Sequence, residues 1–582
     1  MSVDDGKVSA TGAARPASIG RFIPILVWLP QYERSWLKVD VIAGLSVWAL
    51  MVPTSLGYAA LSGVPVQNGL YAAAAGMIAF ALFTTSKQLV QGPGSSTGPV
   101  LGAAVVSLAA AGSPDAVAIA TAIVLVAGLL YVIMAVLKMG WVADFLSAAV
   151  LTGFMFGVAI NVVAGELFKL TGTKKSGSNT WQKLGSWVTG LGDANRATVV
   201  VGVVALLVLF GIKLLAPKVP AELIVVALGI VATIVFDLGA RGVGLIAEVP
   251  RGFVSPSIPD IHLILDNWSQ VSGAAVALVL IGFSMTTAGV RAYASKHEYR
   301  IDLNQELLAQ GMSNVSSSMF QGIFNNGSLS KSPVNDAAGA RSQVANLAQA
   351  GFIILTLLFI APIFSKLPDA VLGAIIFVAV TLGMMNVGEM KRLFHVKPYE
   401  FVAALAALLG VMTFGILQGV FIGAGISFVW LVAVSALPSI PELGRVPGTD
   451  AFVDLDQHDE FETIPGLKIL RFDGGLFFVN AGALSDRLRQ LRVDSPTGLA
   501  GVILSMEGVN FIDTEGSDAL VSLAKIGLDA DIDVRLSRVK PQVLDVLDRD
   551  GFFELVSRDH VHPNIVDAVQ GHLALHPGRP TQ

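Results

Sequence analysis

Long apolar segments separated by short polar stretches occupy the chain from residue 41 to about residue 437. A helix that spans a bilayer needs about 20 predominantly apolar residues, and several of these segments are shorter than that. The pattern predicts about fourteen segments, which is an even number of crossings. Their predicted starts are residues 41, 69, 98, 116, 141, 197, 219, 270, 303, 333, 345, 368, 399 and 418.

Two of these segments are interrupted in the same way. Residues 88–99 introduce the third segment and residues 322–333 introduce the tenth, and each runs from a short β-prone piece through Gly, Ser or Asn into a helix. Because the two lie seven segments apart, and seven is odd, a repeat of seven spans has its second copy inverted. Interrupted segments at corresponding positions of two halves indicate the binding site of a transporter. Two ordinary loops outside the membrane are the alternative.

Lys and Arg residues near the segment ends predict the orientation, because cytoplasmic loops carry an excess of both. They precede the first segment and follow the eighth and the twelfth, which places these clusters and both termini on the cytoplasmic side. One loop disagrees, since residues 169–196 carry five cations on the predicted outer side. Either the rule is violated there or the count of spans is wrong.

The two ends of the chain differ from its central part. We predict a cytoplasmic N-terminal segment at 1–38, a transmembrane domain at 39–437, a linker at 438–463 and an α/β domain at 464–582. Residues 21–30 are apolar but too few to span, so they form either a short helix on the inner surface or part of a disordered tail. In the α/β domain we predict strands at 467–472, 476–479, 501–505 and 534–536, and helices at 481–491, 517–528, 541–548 and 564–573.

Composition agrees with a membrane protein: 53% of the 582 residues are hydrophobic, only 14% are charged, and the mean hydropathy is +0.69. An average soluble domain carries about 25% charged residues. The net charge of −5 gives no indication of nucleic-acid binding, and the lack of cysteine excludes disulfides, cysteine-ligated zinc and thiol catalysis. The sequence has neither the phosphate-binding loop of an ATP-driven pump nor a metal or nucleophile cluster, so we expect no enzyme, no metal and no cofactor.

Several motifs, in this order on one chain, resemble the SulP family, also called solute carrier family 26. They lie in residues 40–62, 69–71, 83–87, 92–93, 304–314 and 327–332, and in residues 509–516, whose sequence VNFIDTEG looks like that of a STAS domain. The resemblance implies a polytopic α-helical membrane protein of fourteen segments, arranged as a 7+7 inverted repeat with core and gate domains, plus a cytoplasmic α/β STAS domain. It also implies a homodimer and an elevator-like movement of the core.

The interrupted segments suggest how an anion is stabilised near the membrane centre without water. Two half-helix N-termini that point at one place supply unpaired N–H groups and about half a positive charge each. Small residues such as Gly94, Ser95 and Ser96 let the backbone approach the ligand, although the serines could instead only cap the helices. We expect the substrate-binding residues to be Thr54, Tyr58, Gly94, Ser95, Ser96, Leu329, Ser330 and Lys331.

Lys331 is the most informative of these residues, because a charge at membrane depth is costly and is functional by default. By resemblance it corresponds to an Arg in many family members, and Lys keeps the sign of the charge but lacks the planar fork. A lysine that extends to water at the interface is the alternative. Thr54 and Tyr58 are four residues apart on the first helix and share a face, which by resemblance lines the pocket; ordinary helix packing is the alternative.

Ion coupling is the point at which the chain departs from the family pattern. Many members carry an acidic residue in the eighth helix, where this chain has Met285. A carboxylate at that depth would be the obvious proton carrier or sodium ligand, so coupling by that route is in doubt. Glu306, Asp336 and Glu166 remain as candidate coupling residues, with a structural role favoured for Glu306.

The STAS-like tail offers two candidate regulatory residues. STAS domains of sigma-factor regulators are phosphorylated in a turn that is here Asp513-Thr514-Glu515-Gly516, and Glu515 occupies the usual second hydroxyl position. The usual phosphorylation site is therefore absent, and Thr514 is the alternative. Asp513 and Thr514 are the candidate regulatory residues, and a helix cap is the favoured interpretation of this turn.

The sequence thus predicts a secondary transporter of small anions, of the sulfate, bicarbonate, chloride or dicarboxylate class, in the bacterial inner membrane. One alternative is an uncoupled anion channel or an anion-sensing membrane protein, which lacks accumulation against a gradient. A nucleobase permease is another, and the STAS-like tail and Lys331 argue against it. The expected partners are the anion, a proton or sodium co-ion, the lipid bilayer and a second copy of the chain, and not nucleic acid.

Overall fold

The computed structural model describes residues 22–144, 147–174, 176–216, 219–457, 461–494 and 498–575. The chain divides into two compact units, Met1–Ser427 and Phe428–Gln582. The apolar segments lie almost entirely in the first unit, and the predicted α/β domain lies in the second.

The first unit is built from α-helices. In the described part of the chain, eight helices are long and apolar enough to cross a membrane, and four shorter apolar helices lie between them along the sequence. The helices are α1 (Ile25–Trp28), α2 (Leu37–Leu61), α3 (Gln67–Phe83), α4 (Thr97–Val106), α5 (Pro114–Val136), α6 (Ala148–Thr171), α7 (Thr180–Thr189), α8 (Arg196–Leu215), α9 (Ala221–Phe236), α10 (Ile261–Asp266), α11 (Trp268–Lys296), α12 (Leu303–Met319), α13 (Ser332–Ala337), α14 (Val344–Leu355), α15 (Asp369–Met384), α16 (Val387–Val396), α17 (Pro398–Phe414) and α18 (Ile416–Ala436).

The predicted apolar segments correspond one by one to fourteen of these helices, so the predicted number of segments is confirmed. The largest difference is at the fifth segment, which was expected from residue 141 and begins at Ala148, because a 3₁₀ turn over Gly140–Asp144 precedes it. The short N-terminal helix expected within residues 21–30 is the four-residue α1.

The cation-rich residues 169–196 run from the end of α6 to the start of α8, with α7 between them. Two of these cations have partners within the first unit: Lys169 Nζ lies 3.0 Å from Glu166 Oε2, and Lys183 Nζ donates to Asn161 Oδ1 at 2.8 Å. Cations that are paired with protein groups are less available to the charge bias that orients a loop.

The two interrupted segments pair with each other. β1 (Gln91–Pro93) and β2 (Asn325–Gly327) form an antiparallel pair in which Gly92 lies opposite Asn326. β1 leads into α4, and β2 leads into α13. Because the strands are antiparallel, the chain leaves the pair in opposite directions on the two sides, as expected of an inverted repeat.

The helices of the first unit pack as two bundles. In the core bundle, α12 packs on α5 and α3, and α14 packs on α2 and α3. In the gate bundle, α6 packs on α17 and α15, and α8 packs on α15 and α9. Small residues allow the closest approaches, since a Cβ on Gly153 of α6 would lie 1.9 Å from the carbonyl oxygen of Ala404 of α17. The core bundle meets the gate bundle where α2 contacts α9 and α15.

Buried polar side chains hold the strand pair in place. Asn314 Oδ1 of α12 accepts from the N–H of Asn325 at 2.8 Å, and Asn314 Nδ2 donates to the carbonyl oxygen of Asn325 at 3.0 Å. Thr286 Oγ1 of α11 accepts from the N–H of Gly327 at 2.9 Å. A buried backbone group without a partner costs about 1–3 kcal/mol, so these contacts fix the strand from which the second half-helix starts.

The second unit contains a four-stranded parallel sheet with the strand order β5-β6-β7-β8 and a separate hairpin of β3 and β4. Its central strand β6 is buried at every residue, as is typical of a parallel sheet covered on both faces. The strands are β3 (Leu443–Arg445), β4 (Phe452–Asp454), β5 (Leu467–Arg471), β6 (Gly501–Ser505), β7 (Asp533–Ser537) and β8 (Val561–His562), and the helices are α19 (Ala481–Asp494), α20 (Thr514–Ala530), α21 (Pro541–Arg549), α22 (Phe552–Leu555) and α23 (Ile565–Leu575).

The strand predicted at residues 476–479 is wrong. Only Leu476 makes a β-bridge there, with Ile512. Phe477 begins a turn, because its N–H donates to Asn480 Oδ1 at 3.0 Å and its carbonyl oxygen accepts from Asn480 and Ala481 at 2.9 Å. The apolar residues of this stretch thus form the turn that leads into α19, and they do not extend as a strand.

The segment at 438–463 contains more structure than a linker. The hairpin of β3 and β4 lies within it, and Glu442 forms a β-bridge with Leu470 of β5. The three-residue strands of this hairpin are too short for a hydrophobic alternation to be recognised in the sequence. The two-residue strand β8 was not predicted for the same reason.

Candidate functional site

A cavity of about 320 Å³ lies in the first unit, with walls from the core bundle and the gate bundle. α2, the turn before α4, α11 and the start of α13 contribute the core side, and α8, α9 and α15 contribute the gate side. All eight residues that the sequence predicts to bind substrate line this cavity, namely Thr54, Tyr58, Gly94, Ser95, Ser96, Leu329, Ser330 and Lys331.

Lys331 immediately precedes α13 and is 3% exposed. Its Nζ lies 5.1 Å from the ring centre of Tyr58 and donates to the carbonyl oxygen of Pro93 at 3.4 Å. Both of these contacts are to neutral groups, so they do not compensate the positive charge of the ammonium group. The burial of Lys331 argues against a side chain that extends to water.

The two half-helices that start at the cavity differ in length. α4 has ten residues and α13 has only six, so the backbone dipole is better developed in α4. The whole charge of Lys331 lies at the start of the shorter helix. Gly94 lets the backbone reach the cavity before α4, because a Cβ at that position would lie 2.1 Å from Asn326 Oδ1.

Two serine hydroxyls beside the cavity have different partners: that of Ser96 donates to Met285, and that of Ser328 caps the start of the second half-helix. Ser96 precedes α4 but makes no capping hydrogen bond, and its Oγ lies 3.0 Å from Met285 Sδ. Ser328 Oγ accepts from the N–H of Lys331 at 3.3 Å, which is a capping contact at the start of α13, and also lies 3.3 Å from Ser330 Oγ. Capping therefore accounts for Ser328 but not for Ser96.

The first helix contributes one aromatic ring and one hydroxyl to the cavity. Pro53 interrupts the hydrogen bonding of α2, and the next residue, Thr54, donates through Oγ1 to the carbonyl oxygen of Leu50 at 2.7 Å. Because this bond uses the hydroxyl proton, Thr54 presents an acceptor to the cavity. Tyr58 presents its ring face to Lys331.

Met285 of α11 also lines the cavity. The position at which the resemblance leads one to expect an acidic residue therefore lies in the wall of this cavity, next to Ser96. In this chain it presents a thioether, which is a weak acceptor and carries no charge.

Glu306 lies outside the cavity, in a fully buried network of the core bundle. Its carboxylate accepts from the hydroxyls of Thr84 and Thr85 at 2.8 and 2.5 Å, and from the N–H of Thr85 at 2.7 Å. These contacts join the start of α12 to the end of α3, which is a structural role.

Asp336 and Glu166, the other two candidate coupling residues, also lie outside the cavity. Asp336 is paired with Lys296 and His297, each at 2.6 Å. Glu166 of α6 is paired with Lys169 of the same helix at 3.0 Å. The structure therefore brings none of the three predicted coupling residues to the cavity.

Sequence reasoning missed two charged residues that do line the cavity. Lys213 of α8 and Glu222 of α9 form an ion pair, with Lys213 Nζ 2.7 Å from Glu222 Oε1. Both lie at the ends of apolar segments beside a proline-containing loop, where charges are usually solvated. The signal that could have found them is the position of a Lys and a Glu inside segments otherwise apolar enough to span.

Asp513 and Thr514 lie at the start of α20 in the second unit. Asp513 caps this helix, since Oδ1 accepts from the N–H of Gly516 at 2.8 Å, and Oδ2 accepts from the N–H of Phe478 at 2.9 Å. The cap explains why α20 begins at Thr514 instead of at the predicted residue 517. Thr514 is exposed on the first turn.

Comparison with known proteins matches both parts of the chain to protein-family models. The model of the sulfate permease family matches residues 37–407, and the STAS domain model matches residues 460–568. A probable sulfate transporter of Mycobacterium tuberculosis is 28% identical over 547 residues, covering 94% of this chain and 97% of the relative. The probable sulfate transporter 3.3 of Arabidopsis thaliana is 30% identical over 564 residues, covering 90% of this chain and 86% of the relative.

Solved structures show the same fold. The murine Slc26a9 anion transporter in its inward-facing state aligns with a TM-score of 0.88 at 24% identity, covering 98% of this chain and 97% of that one. The transmembrane domain of the cyanobacterial bicarbonate transporter BicA aligns with a TM-score of 0.58 at 22% identity, covering 68% of this chain and 98% of that one. The fold class predicted from the sequence is confirmed.

Proposed function

Because this chain belongs to the sulfate permease family, we propose that it is a secondary transporter of small anions that works by an elevator-type alternating-access mechanism. The observation that carries the proposal is the buried ammonium group of Lys331 in a cavity where two half-helices begin. An oxyanion there would receive backbone hydrogen bonds from Gly94–Ser96 and from the start of α13, together with one full positive charge.

We propose sulfate as the first substrate to test, within the class of sulfate, bicarbonate, chloride and small dicarboxylates. A cavity of about 320 Å³ admits an anion of a few non-hydrogen atoms. The relatives from Mycobacterium tuberculosis and Arabidopsis thaliana are named as sulfate transporters, which supports this order.

The elevator mechanism is supported by the distribution of the cavity walls. Both half-helices belong to the core bundle and are joined by the β1–β2 hydrogen bonds, so they would move together. The facing wall comes from the gate bundle and carries Lys213, Glu222 and Leu382. A sliding movement of the core against the gate would carry the anion that the two half-helices hold across the membrane.

The remaining assignments follow from the sequence. We propose a bacterial inner-membrane location with both termini in the cytoplasm, on the distribution of Lys and Arg, and a homodimer, on the resemblance to the family. The boundaries 1–38, 39–437, 438–463 and 464–582 remain our proposed domain limits. For the STAS domain we propose a role in folding, dimer contact or regulation.

Uptake by the purified protein in liposomes tests the transport proposal. Labelled sulfate, bicarbonate and fumarate are offered with and without proton and sodium gradients, and empty liposomes serve as the control. Accumulation above the external concentration supports a transporter. Equilibration without accumulation supports the alternative of an uncoupled channel, which the uncharged Met285 in the cavity favours. No flux of any anion would overturn both.

A further inference from the structure

Three charged side chains line the cavity in the part of the chain that the structure describes: Lys213, Glu222 and Lys331. Glu222 is 5% exposed, and Lys213 Nζ lies 2.7 Å from its Oε1. A buried carboxylate in an anion-binding cavity is unexpected, because it repels the ligand. The pair belongs to the gate bundle, whereas Lys331 belongs to the core bundle.

The groups that face Glu222 come from several elements. Lys213 of α8 is its ion-pair partner, and Lys331 and Tyr58 of the core bundle lie across the cavity from it. α15 also packs on α9, but it contributes only the uncharged residues Ala379, Leu382 and Gly383 to the cavity. The 3₁₀ segment Ala361–Lys366 packs on α9 as well, and its Lys366 does not line the cavity.

The charge of these groups depends on the protonation of Glu222. With Glu222 ionised, two lysines and one carboxylate give a net charge of +1. With Glu222 protonated, the same groups give +2, which matches a divalent oxyanion such as sulfate. A dianion that enters also competes with the carboxylate for Lys213, and it places a like charge beside that carboxylate. Each effect weakens the electrostatic stabilisation of the carboxylate while a dianion is bound.

We propose that Glu222 is the proton-binding residue of the transport cycle: it takes up one proton when a divalent anion binds and releases it when the anion leaves. The inference rests on the proposed function, since it names the co-ion of that same cavity. It assigns coupling to the gate bundle, at a residue that faces the anion, and not to Glu306, Asp336 or Glu166. Proton coupling would then require no acidic residue in α11, where this chain has Met285.

The proposal fixes the number of protons that move with each anion, according to the charge of that anion. One proton enters with one sulfate, and the freed Lys213 joins Lys331 in binding the anion. By linkage, the affinity for sulfate falls about tenfold for each pH unit over the range in which binding takes up a whole proton. Chloride, with a single charge, matches the cavity with Glu222 ionised and is expected to bind without proton uptake.

The test uses the purified full-length protein in liposomes, with labelled sulfate and a pH-sensitive dye inside. Wild type is expected to take up about one proton per sulfate, and far less than one per chloride. Glu222→Gln is expected to lose both the proton flux and the pH dependence of sulfate affinity, and sulfate/sulfate exchange, which needs no gradient, measures how far the variant still binds and moves the anion. Glu166→Gln is the matched control, because Glu166 is also a buried glutamate paired with a lysine but lies outside the cavity. It is expected to retain the proton flux.

The outcomes separate this inference from the function on which it rests. A wild-type protein that moves no anion overturns both. A wild-type protein that exchanges sulfate without proton flux overturns the inference alone, as does a Glu222→Gln protein that still moves protons with sulfate, or a Glu166→Gln protein that loses them. If Glu222→Gln does not fold, Glu222→Asp decides, because it retains a carboxylate and must therefore retain coupled proton uptake. A proton-to-sulfate ratio near zero in wild type overturns the inference without any variant.

Discussion

The Nζ atom of Lys331 lies 5.1 Å from the ring centre of Tyr58, so a cation of the tenth segment rests on an aromatic face of the first. A cation over an aromatic ring is stabilised by about 0.5–2 kcal/mol, depending on how far it is desolvated. We expect Tyr58→Phe, which keeps the ring, to leave the KM for sulfate within about twofold of wild type. Tyr58→Leu should raise it by about three- to thirtyfold. Equal KM values for the two variants would show that the ring does not position Lys331.

Lys331→Gln should raise the KM for sulfate by at least about tenfold, because it removes the buried positive charge from the cavity and leaves only neutral donors. Concentration series of uptake in liposomes measure the effect. The control is Lys391→Gln, which removes an exposed lysine of α16 and should leave transport unchanged. Unchanged kinetics in Lys331→Gln would contradict the proposed role of this residue.

Gly94→Ala tests the close approach of the backbone to the cavity. The added Cβ would lie 2.1 Å from Asn326 Oδ1, so the buried side chain of Asn326 or the turn before α4 has to shift. We expect sulfate exchange to fall at least about tenfold, since misplacing the donors weakens the binding of an anion. Gly351→Ala in α14 is the control, because a Cβ there meets nothing within 4 Å. A functional Gly94→Ala protein would show that the turn is not part of the site.

Glu306→Gln should lower the stability of the first unit without changing proton coupling. The carboxylate accepts from three donors of Thr84 and Thr85, and an amide turns one acceptor into a donor that faces them, which costs about 1–3 kcal/mol. Thermal unfolding in detergent measures the loss, with exposed Glu248→Gln as the control. A variant of wild-type stability that no longer moves protons with sulfate would make Glu306 a coupling residue after all.

Asp533 gives the second unit a dependence on acid pH. Burial by itself raises the pKa of Asp533, but hydrogen bonds from His572 and Arg535 outweigh it and lower the pKa to about 2. A carboxyl whose pKa is lowered by folding stabilises the folded state above the unfolded pKa of about 4, and this contribution of about 2 kcal/mol is lost as the pH falls from 4 to 2. We expect Asp533→Asn to reduce hydrogen-exchange protection of β6 and β7 at pH 6 and to change it little at pH 2.5. Equal losses at both values would contradict this account.

The long periodic elements of this protein could be predicted from sequence because they satisfy one requirement each. A bilayer span needs a long apolar run, and a buried strand such as β6 needs a short one. The number of segments and most strands of the sheet in the second unit could therefore be predicted from the sequence. Elements fixed by single contacts were not. The turn at Phe477 depends on the side chain of Asn480, and β8 depends on two residues that pair with a neighbour distant in sequence.

The same distinction separates the two walls of the cavity. The core wall was predicted because its residues stand in interrupted segments, where glycine and serine indicate a backbone that meets a ligand. The gate wall was missed because Lys213 and Glu222 occur near segment ends, where a charge is ordinary. Only the packing of α9 against α8 and α2 shows that they face the cavity.

The β1–β2 pair has a consequence for how the protein is made. The ribosome synthesises β1 about 230 residues before β2, and at about 5–20 residues per second the first strand exists for some tens of seconds without its partner. During that time its backbone N–H and C=O groups lack the bonds that they have in the finished protein, and the hydrocarbon layer offers no substitute. We therefore expect the first strand to stay in water or against the insertion machinery until the chain between the ninth and tenth segments supplies the second strand.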